Sequence, residues 1–499
     1  MVPRRRSGIL GPVRTQAGDH RAPGARFRRA RSVRGALGVT LLGAVLPGAG
    51  FLWTGRLLGY VLLAPFVGGT VYLLGSLRDL HVLVELATDP EWLRDASVVL
   101  GVGLGVWMVS VMTTYFWARP ARARRLHTAS GAAVVLLACV AAALPVVQAM
   151  RYTTTQADLV ETLFTANRTA TAPRDITEEV PWGGRERVSV LLLGGDGDVG
   201  RDGIRTDTVL LVTMNTGTGR AVMFSLPRNM MYAQFPLDSP MHGVFPEGYT
   251  SDGDPANGML NAIYGQLPAR YPGILGRSDN EGADALKQAV GGSLGVEVDY
   301  YVLVNLLGFR QVVDAMGGVT VNVNEPVAIN GDTDRGIPPT DYIQPGPDQH
   351  LDGFHALWFA RGRWGSDDYE RMLRQRCMVN ALIAEADPVT LIRRYLDLAE
   401  AGKEIIRTDI PRTVLPAFVD LGLRVKEHRV RSIAFVSSDR FFSGDPDYAW
   451  MQESARRALA WLDGHRGDTG PRPTPTSGAE PDPGESVDVR ESCEYHPET

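Results

Sequence analysis

The densest group of residues able to do chemistry is the stretch LDGFHALWFARGRWGSDDYERMLRQR, residues 351–376. Arg361 and Arg363 alternate at strand-like spacing, which would aim both side chains the same way. Asp367 or Asp368 stands where it can cap a following helix. On that helix Arg371, Arg374 and Gln375 share one face at i, i+3 and i+4. Met378 and Leu382 continue the face, so a polar mouth grades into an apolar interior, an arrangement suited to a pyrophosphate on a long lipid. Two guanidinium groups about 6 Å apart repel by roughly 3 kcal/mol at an effective dielectric near 20, so gathering several of them requires anions. Those anions are either a ligand or the carboxylates of Asp367, Asp368 and Glu370 in a solvated ion-pair network. The cluster alone favours neither.

A second group begins with Asp196, directly after LLLGG, and continues in GIRTDT with Arg205 and Asp207. Carboxylates at strand ends can hold a hard cation such as Mg²⁺, which takes oxygen ligands, waters and substrate phosphate; turn and capping roles suit the same aspartates. A third candidate is Arg228 in SLPRNMMY, again just past an apolar run. Other chemistries lack their signatures. The nine histidines show no metal-ligand spacing, and His350 and His355 read as a loop and a helix residue. There is no GxSxG elbow, no P-loop, and Gly194, Gly195 and Gly197 do not make a dinucleotide fingerprint.

The elements that must position these residues follow from the hydropathy pattern. Residues 57–77, 96–118 and 131–150 are long and apolar enough to cross a bilayer core of about 30 Å. Residues 36–53 are apolar but broken by LPGAG, and read as a re-entrant or interfacial element. Residues 1–34 carry ten Arg and one Asp. Placing them, together with Arg119, Arg122, Arg124 and Arg125, on the cytoplasmic side requires three crossings, which puts everything after residue 150 outside. Residues 151–186 form a short amphipathic helix and linker. Strands are expected at 188–193, 208–215, 221–226, 300–304, 319–323 and 432–436, and helices at about 282–294, 306–316, 369–386 and 390–401. The implied class is a three-layer α/β/α domain over 187–465, preceded by a helical transmembrane region over 35–150. Residues 233–258 and 327–350, rich in Gly, Pro and Asp, are expected to border the site as loops. The acidic, Pro-rich tail 466–499 is expected to be disordered. Cys139, Cys377 and Cys493 suggest no pair placed for a disulfide. Nearly all basic charge is Arg, with Lys only at 287, 403 and 426, against a net charge of -5.

In chain order, LLLGGD, GIRTDT, SLPRNMMY, LNAIYG, YYVLVNLLGFRQVVDAMGGVTVNV and the Arg-rich block resemble the LytR-CpsA-Psr family of cell-wall glycopolymer ligases over about residues 188–391. The stretch 309–321 and the Arg-x-Arg then Asp-Tyr-x-Arg-x-x-Arg-Gln run of 361–375 are its most specific parts. The resemblance implies a Mg²⁺-dependent phosphotransferase that moves a phosphorylated glycan from a polyprenyl-pyrophosphate carrier to a peptidoglycan hydroxyl at the membrane, with no nucleic-acid partner. It implies that Asp196 and Asp207 serve the metal and that Arg205, Arg228, Arg361, Arg363, Arg371 and Arg374 surround the pyrophosphate, with Asp368 and Gln375 as further polar site positions. Two positions depart from the family pattern: Asn229 stands where Asp is usual, and Met259 where Lys is usual. A lipid-pyrophosphate hydrolase and a non-catalytic lipid-binding regulator are the alternatives.

Overall fold

The computed structural model of the protein describes residues 28–76, 82, 86–121, 124–164, 169–195, 205–331, 336–385, 406–464 and 484–496. The chain divides into two compact units, Met1–Arg78 with Val98–Gln148, and Asp79–Ser97 with Ala149–Thr499.

The first unit is helical. Its helices Leu58–Ser76, Pro90–Ala118 and Arg125–Phe164, the last two running on into the second unit, are long and apolar enough to cross a membrane. The 36–53 segment is two short helices, Val33–Val45 and Ala49–Trp53, parted at Gly48. Gly48 has φ 93°, and a Cβ there would lie 2.1 Å from Gly59 O, so the break in LPGAG depends on a residue with no side chain. Trp107 Nε1 donates to Ala44 O at 2.9 Å and holds the broken element to a long helix. The helix Arg125–Phe164 extends well past the expected span end at 150, so the short helix expected after it is a continuation of the same one.

The second unit is built on a seven-stranded mixed sheet. In chain order the strands are β1 Arg187–Gly195, β2 Thr206–Asn215, β3 Ala221–Ser225, β4 Tyr300–Asn305, β5 Val319–Val323, β6 Val327–Ile329, β7 Asp341–Ile343, β8 Gly346–Leu351, β9 Ile406–Thr408, β10 Val430–Ala434 and β11 Val487–Asp488. The large sheet runs β11-β10-β3-β2-β1-β4-β9, while β5 pairs β8 and β6 pairs β7 in two small sheets. Apolar runs in β1 to β4 send alternate side chains to opposite faces. Leu191, Leu193, Leu211 and Phe224 pack under helices Leu260–Arg270, Glu281–Leu294 and Tyr448–Leu462. Val188, Val190, Leu210 and Met223 face Leu421 and Val425 of helix Leu415–Glu427 on the other side. These are the three expected layers.

Several expectations are corrected. The stretch 327–350, expected as a loop, carries β6, β7 and most of β8. Cys377 and Cys493 form a disulfide across a sequence separation of 116; one lies in the site-bearing helix and the other near the end of the chain, a pairing that spacing along the sequence does not reveal. The tail is also ordered over 484–496. There β11 pairs the edge of β10, the short helix Val489–Ser492 buries Val489, and Asn322 Nδ2 donates to Cys493 O at 2.9 Å. The expected helix at 390–401 lies outside the described residues.

Candidate active site

The site gathers where β1, β2, β3 and β4 meet the helices Gly353–Arg361 and Asp368–Glu385. In the β1–β2 pairing Gly194 faces Thr208 and Gly195 faces Thr206, so Asp207 is the extra residue of a β-bulge. A bulge bends the strand and re-aims the side chain it carries. A Cβ on Gly194 would lie 2.9 Å from Thr208 Oγ1, which keeps the position opposite the bulge free of a side chain. Asp196 lies outside the described residues.

Arg228 sits on the turn after β3, where Asn261 N donates to Arg228 O at 2.9 Å and Leu260 N to Met230 O at 2.8 Å. Its Nη1 donates to Asp207 Oδ1, and its Nε lies 3.5 Å from Asp368 Oδ1. Asp368 Oδ2 accepts from Arg371 Nη2 at 3.0 Å, and the same Nη2 donates to Asp207 O at 3.2 Å. Two arginines and two carboxylates from three separate stretches of chain thus form one closed network. Asp367 takes the capping role, accepting from Tyr369 N and Glu370 N at 2.9 and 2.8 Å. Arg371 is 2 % exposed. Burial lowers its guanidinium to about 10, with Asp368 opposing and Arg228 reinforcing the shift. Its Nε is buried without a hydrogen-bond partner, so the group is not fully satisfied by protein.

Arg361 and Arg363 reach the site for a reason other than the expected strand alternation. Arg361 ends a helix and Gly362 breaks it with φ -53° and ψ 131°, so the two arginines flank a helix terminus. Both line a cavity of about 220 Å³, together with Asp207, Arg371 and Gln375. The rest of its wall is mainly apolar, with Thr208 and Asn305 as the polar exceptions: Leu192, Leu210, Val302 and Val304 come from the sheet, Leu306 and Phe309 from the helix after β4, and Met378 and Leu382 from the site helix. Three guanidinium groups and one carboxylate at the mouth of an apolar hollow favour an anion that carries a hydrocarbon chain.

Arg205 and Arg374 are not among the cavity's lining residues. Arg205 Nη2 donates to Asn257 Oδ1 at 3.2 Å, a partner from the loop 233–258 that sequence reasoning missed and that PANG alone does not signal. Arg374 donates from Nε to Phe359 O at 2.9 Å and from Nη2 to Gly362 O and to Ser366 Oγ, the latter at 3.3 Å. Gln375 Nε2 donates to Ala360 O at 3.3 Å. Asn229 Nδ2 donates to Ser443 Oγ at 3.2 Å. The neighbouring Arg376, also missed, is buried against β10 and donates to Ser432 Oγ at 3.0 Å. It fixes the site helix on the sheet.

A profile of the LytR_cpsA_psr family matches residues 150–460. This chain belongs to that family. Among curated LytR_cpsA_psr-related proteins, it is 28% identical over 237 residues to the polyisoprenyl-teichoic acid–peptidoglycan teichoic acid transferase TagU of Bacillus cereus, an alignment covering 47% of this chain and 64% of that one. The enzyme of the same name from Oceanobacillus iheyensis is 29% identical over 233 residues, covering 45% and 60%. The chain therefore spans somewhat under two thirds of the length of these relatives. The crystal structure of B. subtilis TagV aligns with 24% identity and a TM-score of 0.39, covering 56% of this chain and 97% of that one.

Mg²⁺ is commonly held by one or two carboxylates together with waters and substrate phosphate. Among the described residues no group of three or more His, Cys, Asp or Glu is placed to hold an ion. Asp207, the described member of the expected pair, stands among guanidinium groups, a setting open to a cation that also takes waters and substrate phosphate.

Proposed function

We propose that this LytR-CpsA-Psr protein transfers a phosphorylated glycan from a polyprenyl-pyrophosphate carrier to a hydroxyl of peptidoglycan. One observation carries the reading: the cavity that gathers Arg361, Arg363, Arg371, Gln375 and Asp207 and whose remaining wall is apolar except for Thr208 and Asn305. The lipid would enter the hollow and leave its diphosphate among the guanidinium groups. The acceptor oxygen would attack the glycan-bearing phosphorus, the bond to the bridging oxygen would break, and prenyl monophosphate would leave as the hydroxyl proton is lost. Positive charge fixed around the phosphoryl oxygens lowers the barrier where negative charge develops. Arg228 and Arg371, held by Asp207 and Asp368, supply that charge from positions set before the substrate arrives. Mg²⁺ would add charge neutralisation, with Asp207 and Asp196 as its protein ligands. The names of the TagU relatives, which act between a polyisoprenyl-linked teichoic acid and peptidoglycan, agree with this assignment.

The anchor reads as three crossings with the catalytic domain outside the cytoplasm, supported by the Arg-rich segments 1–34 and 119–125. The Cys377–Cys493 disulfide suits an oxidising compartment. Incubating the full chain in proteoliposomes with a polyprenyl-pyrophosphate glycan and purified peptidoglycan tests the reading. Glycan covalently bound to the wall supports it, whereas glycan phosphate released to solution assigns the site to a hydrolase.

A further inference from the structure

The last carbonyls of an α-helix have no partner inside the helix and carry its negative dipole end. In helix Gly353–Arg361 these carbonyls are met by two consecutive side chains of a different helix. Arg374 Nε takes Phe359 O, Gln375 Nε2 takes Ala360 O, and Arg374 Nη2 reaches past the helix end to Gly362 O and Ser366 Oγ. The clasped segment is the one that carries Arg361 and Arg363. The turn is also sterically tight, since a Cβ on Gly362 would lie 2.7 Å from Ala328 O.

The orientation of Arg374 separates it from the other arginines. Arg361, Arg363 and Arg371 line the cavity, whereas Arg374 is turned away onto main-chain oxygens. A planar fork that bonds carbonyls with both Nε and Nη2 is committed in direction, and a cation at this helix end is stabilised by the dipole.

We infer that Arg374 is a positioning residue, a C-terminal cap supplied from the neighbouring helix that fixes Arg361 and Arg363 at the mouth and does not itself bind the pyrophosphate. The ligand named rests on the function proposed above; the clasp does not.

Two measurements on the full chain test it. In the absence of ligand, hydrogen exchange of the amides of residues 362–366 should rise about tenfold in Arg374→Ala, the scale of a lost charge-assisted hydrogen bond. Helix Asp368–Glu385 should keep its protection. Arg374→Lys, which keeps the charge and loses the fork, should fall between. Unchanged exchange of the turn in both variants overturns the inference. The second measurement is a double-mutant cycle on binding of farnesyl pyrophosphate by calorimetry. Arg374→Ala should weaken binding about tenfold alone and by less than about twofold when Arg361 and Arg363 are both already Ala, because the effect passes through them. Additive losses would show that Arg374 touches the ligand and would overturn the inference. If the turn loosens as expected but the unmodified protein binds no farnesyl pyrophosphate, the clasp stands and the functional reading fails.

Discussion

Arg228 and Asp368 meet across the site, with Nε 3.5 Å from Oδ1, although one follows a strand and the other begins a helix. Asp368 holds Arg371 with its other oxygen at 3.0 Å. One carboxylate therefore keeps two guanidinium groups in place in the absence of a substrate anion. Asp368→Ala removes the shared anion, and the loss should be about 1.5 to 3 kcal/mol of stability, the range for hydrogen bonds to charged groups. Inorganic pyrophosphate should restore more of the thermal midpoint in the variant than in the unmodified protein, because a ligand that binds only the folded state stabilises it. Equal shifts in both proteins would show that no anion is expected between the arginines.

Arg371→Ala tests the chemical role of the most buried of these groups. Transfer should slow by about 2 to 4 kcal/mol of activation free energy, the usual cost of removing one charge-stabilising donor. Rates from initial glycan transfer decide it. An unchanged rate removes Arg371 from the reaction.

Much of this arrangement is legible in the sequence, and the failures have physical causes. The strands of the large sheet stand out because burial on both faces selects continuous apolar runs, as in VLLL of β1. The long helices stand out for length and apolar composition together. Arg361 and Arg363 line one cavity for a reason alternation does not give: alternation implies a strand, whereas a helix ends at Gly362 between them. Asp207 was singled out from its place beside a strand, while the bulge that aims it depends on register with Gly194 and Gly195. Residues that line the hollow, such as Val304, Leu306 and Phe309, look like ordinary core until the helix above them is in place. The Cys377–Cys493 bridge and the docking of β11 are contacts between distant parts of the chain, so no local pattern announces them.

That bridge ties the site helix to the chain end. Replacing Cys493 with Ser should lower stability by roughly 2 to 5 kcal/mol, given the long loop it closes. Thermal unfolding with and without reductant checks this. Reductant should bring the unmodified protein down to the variant and leave the variant unmoved. A reductant effect of equal size in both would place the stabilisation elsewhere.

Asp299 sets a pH dependence. Burial pushes its carboxyl up to about 6, against the opposing hydrogen bond from Ser189 N and the charges of Arg185 and Lys287. A carboxyl whose pKa is raised by folding holds its proton more readily in the native state than in the unfolded chain. Its contribution to stability is therefore full below roughly 4 and is lost as pH rises through about 6, by at most about 3 kcal/mol. Asp299→Asn should remove that slope. In denaturant titrations the variant should gain on the unmodified protein between pH 4 and pH 7 by up to about that amount. Parallel stability profiles would contradict the assignment.

The central claim is that a hydrocarbon chain enters the hollow behind the arginines. A polyprenyl pyrophosphate carrying a photoactivatable group on its first isoprene units, cross-linked to the full chain in bilayers and mapped by mass spectrometry, tests it directly. The account predicts label on Leu306, Phe309, Met378 and Leu382, reduced in Arg371→Ala. Label confined to the membrane helices or to exposed surface, with none on those four residues, would contradict it.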